Sequence, residues 1–384
     1  MKIKFKRFNK PHALKRIGRP LLARFFAHFQ PECTANALAL PPPDLTDSQY
    51  FGALARLLLS PEGLPDSLNE ALFAIDEMAC PYALERLQAD PEWPALQRVL
   101  QPGSGPEDIA MQVWLVAPAL LAGVHNAQRL RRLTAFEYVG AKVPQNQRSP
   151  FTVPAPAALE ALAASLDAWF ALNQRGEQTA RIELYPLDGE FWFLVRHGDT
   201  FTRAPAVERQ KTEVIHFRPE RDDVIVYSPE HDELRLNART KGERDLYRAQ
   251  FGLHLRGSED YFSERRTYTL EPLRSDGQDA LDPDGLEGIS KITLRQIEVA
   301  WDNGLNEVLI RAADDLFQCA AASPTDPFPK GSRLARAAFD LHFADSARPR
   351  PVEIRPPNIL KLGRHCDARL VARWLTKRGF HITK

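Results

Sequence analysis

Two stretches ten residues apart, Pro219-Glu-Arg-Asp-Asp-Val-Ile-Val226 and Pro229-Glu-His-Asp-Glu-Leu-Arg-Leu236, decide the fold of the C-terminal half. Each reads as a proline-led turn feeding a short strand, because proline presets the first central dihedral of a type I turn. A ten-residue spacing between turns implies an antiparallel meander. Just upstream, Arg181–Tyr185 and Glu190–Val195 flank a Leu-Asp-Gly turn and read as a β-hairpin. Downstream, Thr240-Lys-Gly-Glu243 is a capping box opening a helix that places Tyr247 and Phe251 on one face.

Further strands are expected at 266–272, 291–301, 306–311, 334–343 and 351–355, separated by loops at 274–289 and 323–332. The chain closes on a helix with Asp367 as N-cap, an apolar stripe of Leu370, Val371, Trp374 and Leu375, and Gly379 as its stop. Before residue 178 the pattern is helical. Ser67-Leu-Asn-Glu70 suggests a second capping box, Pro81 can open a helix, and 106–117, 119–133 and 156–173 read as three more helices. Residues 141–158 hold four prolines and read as a linker or wrapping loop, and residues 1–8 alternate as an edge strand would.

The expected fold class is therefore α+β: a helical N-terminal part, then a mainly antiparallel β-sheet domain closed by a C-terminal helix. The expected organisation is a basic segment at 1–30, a helical domain at 31–150 and a β-rich domain at 151–384, with an inserted helix near 240–254 and the terminal helix at 367–378. The length of 384 residues suits two or three domains at roughly 150 residues each. An apolar content of 44% excludes an extended disordered chain, and 20 Gly, 31 Pro and 4 Cys exclude collagen-like, coiled-coil and disulfide-framework classes.

Fifty basic and fifty acidic residues give a formal charge of zero that hides a strong asymmetry. Residues 1–30 hold nine cations and no acid, residues 361–384 hold seven cations against Asp367, and residues 31–360 sum to −15. Lys4, Lys6, Arg7, Lys10, Lys15, Arg16, Arg19, Arg369, Arg373 and Lys377 are thus the candidate nucleic-acid-binding residues. In the first segment Phe5, Phe8, Phe25, Phe26 and Phe29 interleave with the cations, so that rings could stack beside a neutralised phosphate backbone. The competing reading makes those rings core residues and the cations a partner for the protein's own acidic body. Unpaired cysteines at 33, 80, 319 and 366 point to a reduced, cytoplasmic setting. No apolar run reaches the roughly 20 residues of a membrane span.

Leu194-Val-Arg-His-Gly-Asp-Thr200 resembles the Arg-His-Gly signature of the histidine-phosphatase family. The resemblance implies that His197 would be phosphorylated and that Arg196 would bind the transferring phosphoryl group. It spans seven residues. Asp199 stands where the family has Glu or Gln, Arg203 stands where it has Asn, and His342 and His365 are second-histidine candidates only by elimination. The acidic groups Glu220, Asp222, Asp223 and Glu230, Asp232, Glu233 read as solvated turns. As ends of a five-residue strand they would lie roughly 17 Å apart, too far to share an ion. Asp282-Pro-Asp-Gly285 reads as an acidic turn rather than a calcium loop, and His365-Cys366 is too isolated for zinc. No metal or cofactor is expected.

The function expected from these features is a non-catalytic binding or accessory protein of a multi-protein system, with nucleic acid, an acidic protein surface or other proteins as partners and no membrane. Its Ala/Leu/Arg/Pro-heavy composition suggests a bacterial source. A place in genome maintenance or phage defence is an expectation with no residue behind it. The alternatives are a phosphohydrolase or phosphotransferase using Arg196 and His197, and a protein–protein scaffold.

Overall fold

A computed structural model describes residues 8, 10–59, 63–101, 105–131, 133, 135–208, 210–264, 266–322, 326–362 and 367–382. At positions 131, 145, 208 and 369 only the backbone is described. The chain forms two compact units, Met1–Arg131 and Arg132–Lys384. The expected strand at 1–8 falls almost wholly outside the described residues.

The first unit is helical: α1 (Pro11–Leu14), α2 (Arg19–His28), α3 (Gln30–Ala35), α4 (Asp47–Leu57), α5 (Asp66–Met78), α6 (Pro81–Gln88), α7 (Trp93–Gln97), α8 (Pro106–Val116) and α9 (Pro118–Arg131). Prolines open α1, α6 and α8, where the missing N–H removes no intrahelical bond. The reciprocal capping box of this unit sits at Thr46 and Gln49, at the start of α4. Ser67 does not cap. Because α5 already begins at Asp66, Ser67 lies inside the first turn and its hydroxyl donates to Glu32 instead. One core gathers Phe8, Leu14, Ile17, Leu22, Phe25, Phe26 and Phe29 with Leu54, Leu72, Ile75 and Met111.

The second unit is built on an antiparallel sheet. Its strands are β1 (Ala135–Ala141), β2 (Arg181–Leu187), β3 (Glu190–Gly198), β6 (Glu220–Ser228), β7 (Glu233–Asn237), β8 (Phe262–Glu264), β9 (Ile289–Ala300), β10 (Val308–Ala312), β11 (Arg333–Phe343), β12 (Arg350–Arg355) and β13 (Ile359–Leu362). Between β3 and β6, β4 (Thr202–Glu208) and β5 (Lys211–Phe217) form a separate two-stranded arm. The order is β10-β9-β11-β12-β13-β1-β7-β6-β3-β2, with β8 pairing the end of β1. The helices are α10 (Pro156–Leu172), α11 (Lys241–Arg256), α12 (Pro272–Ser275), α13 (Leu316–Ala322) and α14 (Ala368–Lys377). Among the described residues no helix is long and apolar enough to cross a membrane.

Strand β1 joins two meanders and shows how they are covered. Val139 lies opposite Leu234, and both belong to the core formed with α10 and α11. Phe136 lies opposite Leu360, which belongs to the core of α14 together with Val352, Ile354 and Trp374. Neighbouring side chains on a strand point to opposite faces, so α10 and α11 cover one face of the sheet and α14 covers the other. The proline-led repeat pairs as the meander expected of it, Val224–Ser228 against Glu233–Asn237. Thr240 and Glu243 form the expected reciprocal capping box, and Gly257 ends α11 in the left-handed conformation. Asp367 accepts the Leu370 N–H at 3.1 Å as N-cap of α14.

Residues 266–272 do not form the expected strand. Thr267 and Tyr268 both donate to the Pro357 carbonyl, and a single bridge joins Tyr268 to His381. Strands β1, β8 and β13 and helix α13 were not anticipated. β1 places the start of the sheet before residue 150, on the C-terminal side of the division at Arg131.

Candidate functional site

The face of β3 and β6 beneath α10 and α11 holds a buried cluster of chemically capable side chains. The strand period sends Phe193, Val195 and His197 of β3, and Asp223, Ile225 and Tyr227 of β6, to that face. His197 and Asp223 are each about 1% exposed. Nε2 of His197 lies 3.2 Å from Asp223 Oδ2, and Nδ1 lies 2.9 Å from the Gly198 carbonyl oxygen. Both ring nitrogens therefore lie within hydrogen-bond distance of an oxygen. The Phe170 ring of α10 stacks on the imidazole at 4.3 Å and 15°.

Two arginines close the cluster. Tyr247 donates its hydroxyl to Asp223 Oδ2 at 2.9 Å, and Arg221 Nε approaches Oδ1 at 3.3 Å. Arg175, just beyond α10, bridges Glu243 of α11 (2.7 Å) and Asp199. Glu243 is fully buried, and its other oxygen accepts the Thr240 N–H as the reciprocal half of the cap. Burial pushes the Tyr247 phenol well above its ordinary range, and the charge of Asp223 beside it adds to the rise. Partial burial opposes ionisation of Asp199. The Thr200 N–H and the guanidiniums of Arg175, Arg221 and Arg239 outweigh it and hold the carboxyl below its usual range.

His197, Asp223 and Glu243 each bring a ligand atom within 4.8 Å of the others, a spacing compatible with one metal ion. Both carboxylates are already held by guanidiniums, however, Asp223 by Arg221 and Glu243 by Arg175. The chemistry this cluster supports is that of a buried, charge-paired network.

The Arg-His-Gly stretch splits across the sheet. Arg196 points to the opposite face from His197, between Glu183 (3.2 Å) and Asp222 (3.4 Å). The two side chains expected to share a phosphoryl group are not brought together. The glycine has its own reason: a Cβ at Gly198 would collide with the Arg175 carbonyl oxygen and the Arg218 side chain.

Sequence reasoning overlooked Asp223, because it sits in an acidic run that reads as a solvated turn. The run is instead the start of β6. Alternation with Ile225 and Tyr227 was the signal that one of its acids turns inward. Asp232 behaves likewise. It is 2% exposed and takes Tyr261 (2.5 Å), Tyr227 (2.8 Å) and Arg256 (2.9 Å). Burial and the hydrogen bond to Asp232 push the Tyr261 phenol up to about 12. Arg256 also donates to Ser149 O, and Arg148 lies 3.5 Å from Asp232, so this centre fastens the wrapping loop expected at 141–158.

The candidate nucleic-acid residues fall into three groups. Lys4, Lys6 and Arg7 lie outside the described residues, as does the side chain of Arg369. Three more are engaged within their own unit. Arg16 pairs with Glu107 at 3.3 Å, Arg19 pairs with Asp47 at 2.9 Å and lies over the Tyr50 ring, and Lys377 donates to Asp284 O. Arg378 beside it holds the acidic turn through Asp282. Lys10, Lys15 and Arg373 are exposed, the first two on one unit and the third on the other. Phe8, Phe25, Phe26 and Phe29 are buried and offer no ring face to a base.

The β4–β5 arm presents the opposite character. Lys211–Phe217 is exposed at all seven positions. The arm and its root carry Phe201, Val207, Val214, Ile215 and Phe217 as exposed large apolar side chains. No protein-family model matches the chain, and no curated protein matches it.

Proposed function

We propose that the protein is a non-catalytic binding protein that engages a protein partner through the β4–β5 arm. The observation that carries this reading is the full exposure of β5 together with its Val214, Ile215 and Phe217. A two-stranded ribbon with one strand exposed at every position is marginal in water on its own, and exposed apolar surface of this kind marks interaction sites. The occupant we assign is an apolar cleft on a protein. Valine and isoleucine have no π-face on which a base could stack, and the described arm residues carry nearly balanced charge. The closed network around His197 supports the same reading, since an imidazole 1% exposed beneath a phenylalanine gives a phosphorylated substrate no approach. A reduced, cytoplasmic setting belongs to this proposal.

The test is site-specific photocrosslinking in the source cell, with the crosslinker at Ile215 and, as a control, at exposed Leu172. The expected result is a discrete protein adduct at 215 that is lost in Val214→Asp/Phe217→Asp. Adducts no different from those at 172 overturn the proposal. So does low-salt DNA or RNA binding that survives the arm substitutions and disappears in Lys10→Ala/Lys15→Ala/Arg24→Ala, an outcome that favours the polyanion reading.

A further inference from the structure

The two edges of the large sheet are built differently. Edge strand β2 carries Arg181, Glu183 and Pro186, and charge and proline are common guards against pairing with another strand. Edge strand β10 is Val308-Leu-Ile-Arg-Ala312, and its three large apolar residues are 49%, 41% and 54% exposed. Among the described residues no strand pairs with its outer side.

The ladder with β9 fixes which backbone groups face outward. Trp301 N–H donates to Glu307 O, Ala313 N–H donates to Arg295 O, and Leu309 lies opposite Val299. In an antiparallel ladder alternate residues bond to the same neighbour. Glu307, Leu309, Arg311 and Ala313 are therefore turned towards β9. Val308 and Ile310 turn their N–H and C=O groups away from it.

We infer that β10 pairs with β10 of a second copy of this chain, antiparallel about a two-fold axis at Leu309. In that register Val308 lies opposite Ile310 of the second copy. The two outward-facing residues exchange both backbone bonds, and the symmetry repeats the pair. Leu309 meets its own counterpart. Glu307 lies opposite Arg311 of the second copy, again twice, so the strand is complementary to itself in charge. Shifting the axis to residue 308 or 310 preserves outward backbone bonding and loses the Glu–Arg match. Within the chain Glu307 accepts Asn303 Nδ2 (2.8 Å) and Arg311 donates to Asp326 O (3.0 Å), which holds both side chains beside the edge. Both groups are multidentate and can hold intrachain and intermolecular bonds together.

Sedimentation of the full chain tests this. The expected result is a concentration-dependent equilibrium between the 43.4 kDa chain and its dimer, with the dimer populated by about 100 μM, as a small interface permits. Ile310→Pro removes one outward N–H and none of the β9 ladder, and should raise the dimer Kd at least about tenfold. Glu307→Arg or Arg311→Glu alone should weaken association and the double exchange should restore it, a pattern that loss of folding does not imitate. In a Cys319→Ser background, Leu309→Cys should oxidise to a covalent dimer, because residues facing across a non-hydrogen-bonded pair sit about 4.5 Å apart. Val308→Cys should crosslink far less. A monomer at every concentration overturns the inference, as does a dimer indifferent to Ile310→Pro or equal crosslinking at 308 and 309.

Discussion

The Phe170 ring lies 4.3 Å from the His197 imidazole and 15° from parallel to it, so the histidine of the Arg-His-Gly stretch is roofed by helix α10. Below it, Asp223 is held by Arg221 and Tyr247. Changes at this histidine should read out as stability. His197→Ala removes the stacked ring and leaves Asp223 with one donor fewer. It should lower unfolding stability by about 2–4 kcal/mol in urea titration, the range for breaking a buried network. Gly198→Ala should be comparably damaging, because its Cβ meets the Arg175 carbonyl oxygen, which is backbone and cannot swing aside. Aryl-phosphate hydrolysis should stay at background in wild type and in His197→Ala alike. A rate that falls with the histidine would revive the phosphotransfer reading.

Thr240 and Glu243 share one cap but differ in what else they hold. Thr240→Ala removes a single N-cap acceptor and should cost about 1 kcal/mol. Glu243→Ala removes the other half of the box and also takes one of its two carboxylate partners from the buried Arg175 guanidinium, so a larger loss of about 2–4 kcal/mol is expected. Denaturant midpoints of the two variants check the ratio. Equal losses would mean that Arg175 gains little from Glu243.

Legibility in the sequence followed the physics of each element. The α11 cap and the α14 stripe were readable because their signals are local: four residues for a capping box, a 3.6-residue period for an amphipathic face. The proline-led repeat was readable for the same reason. Strand β1 was not, although it joins both meanders. Ala-Phe-Glu-Tyr-Val-Gly-Ala is short, buried towards one end only, and follows directly on α9, so neither alternation nor a turn announces it. The candidate cluster was half visible. His197 stood out through its motif and Glu243 through its cap, while Asp223 and Arg175 acquire meaning only when β6 pairs with β3 and the end of α10 comes over them. Fixing which side of a strand is wet requires the partner strand, and that information is non-local.

Glu353 on β12 contributes to the acid limb of the second unit. Burial opposes its ionisation, and hydrogen bonds from Arg355, Arg336 and Lys361 outweigh that, holding the carboxyl below its ordinary range. A carboxyl depressed in the folded state adds stability that is fully present above its unfolded value of about 4.3. That contribution is lost as pH falls towards the folded value. Glu353→Gln should therefore be less stable than wild type at pH 7, and the gap should narrow steadily below pH ~4. Stability curves against pH check this. A gap that stays constant down to acid would show that the three cations contribute through packing alone.

Removing the first thirty residues looks like the direct test of their charge, but it cannot isolate it. Leu14, Ile17, Leu22, Phe25, Phe26 and Phe29 of that segment are core residues of the first unit. At about 1.5–3 kcal/mol for each buried side chain, their loss rivals or exceeds the 5–15 kcal/mol that typically holds a domain together. The truncated chain should lose helical signal and become protease-sensitive up to about residue 131, while the sheet unit resists. Lys10→Ala, Lys15→Ala and Arg24→Ala touch exposed side chains and should leave thermal unfolding within about 0.5 kcal/mol of wild type. Any loss of polyanion affinity in that triple variant then reports charge. A truncated chain that keeps its full helical signal would show that the segment only lies against the core rather than forming part of it.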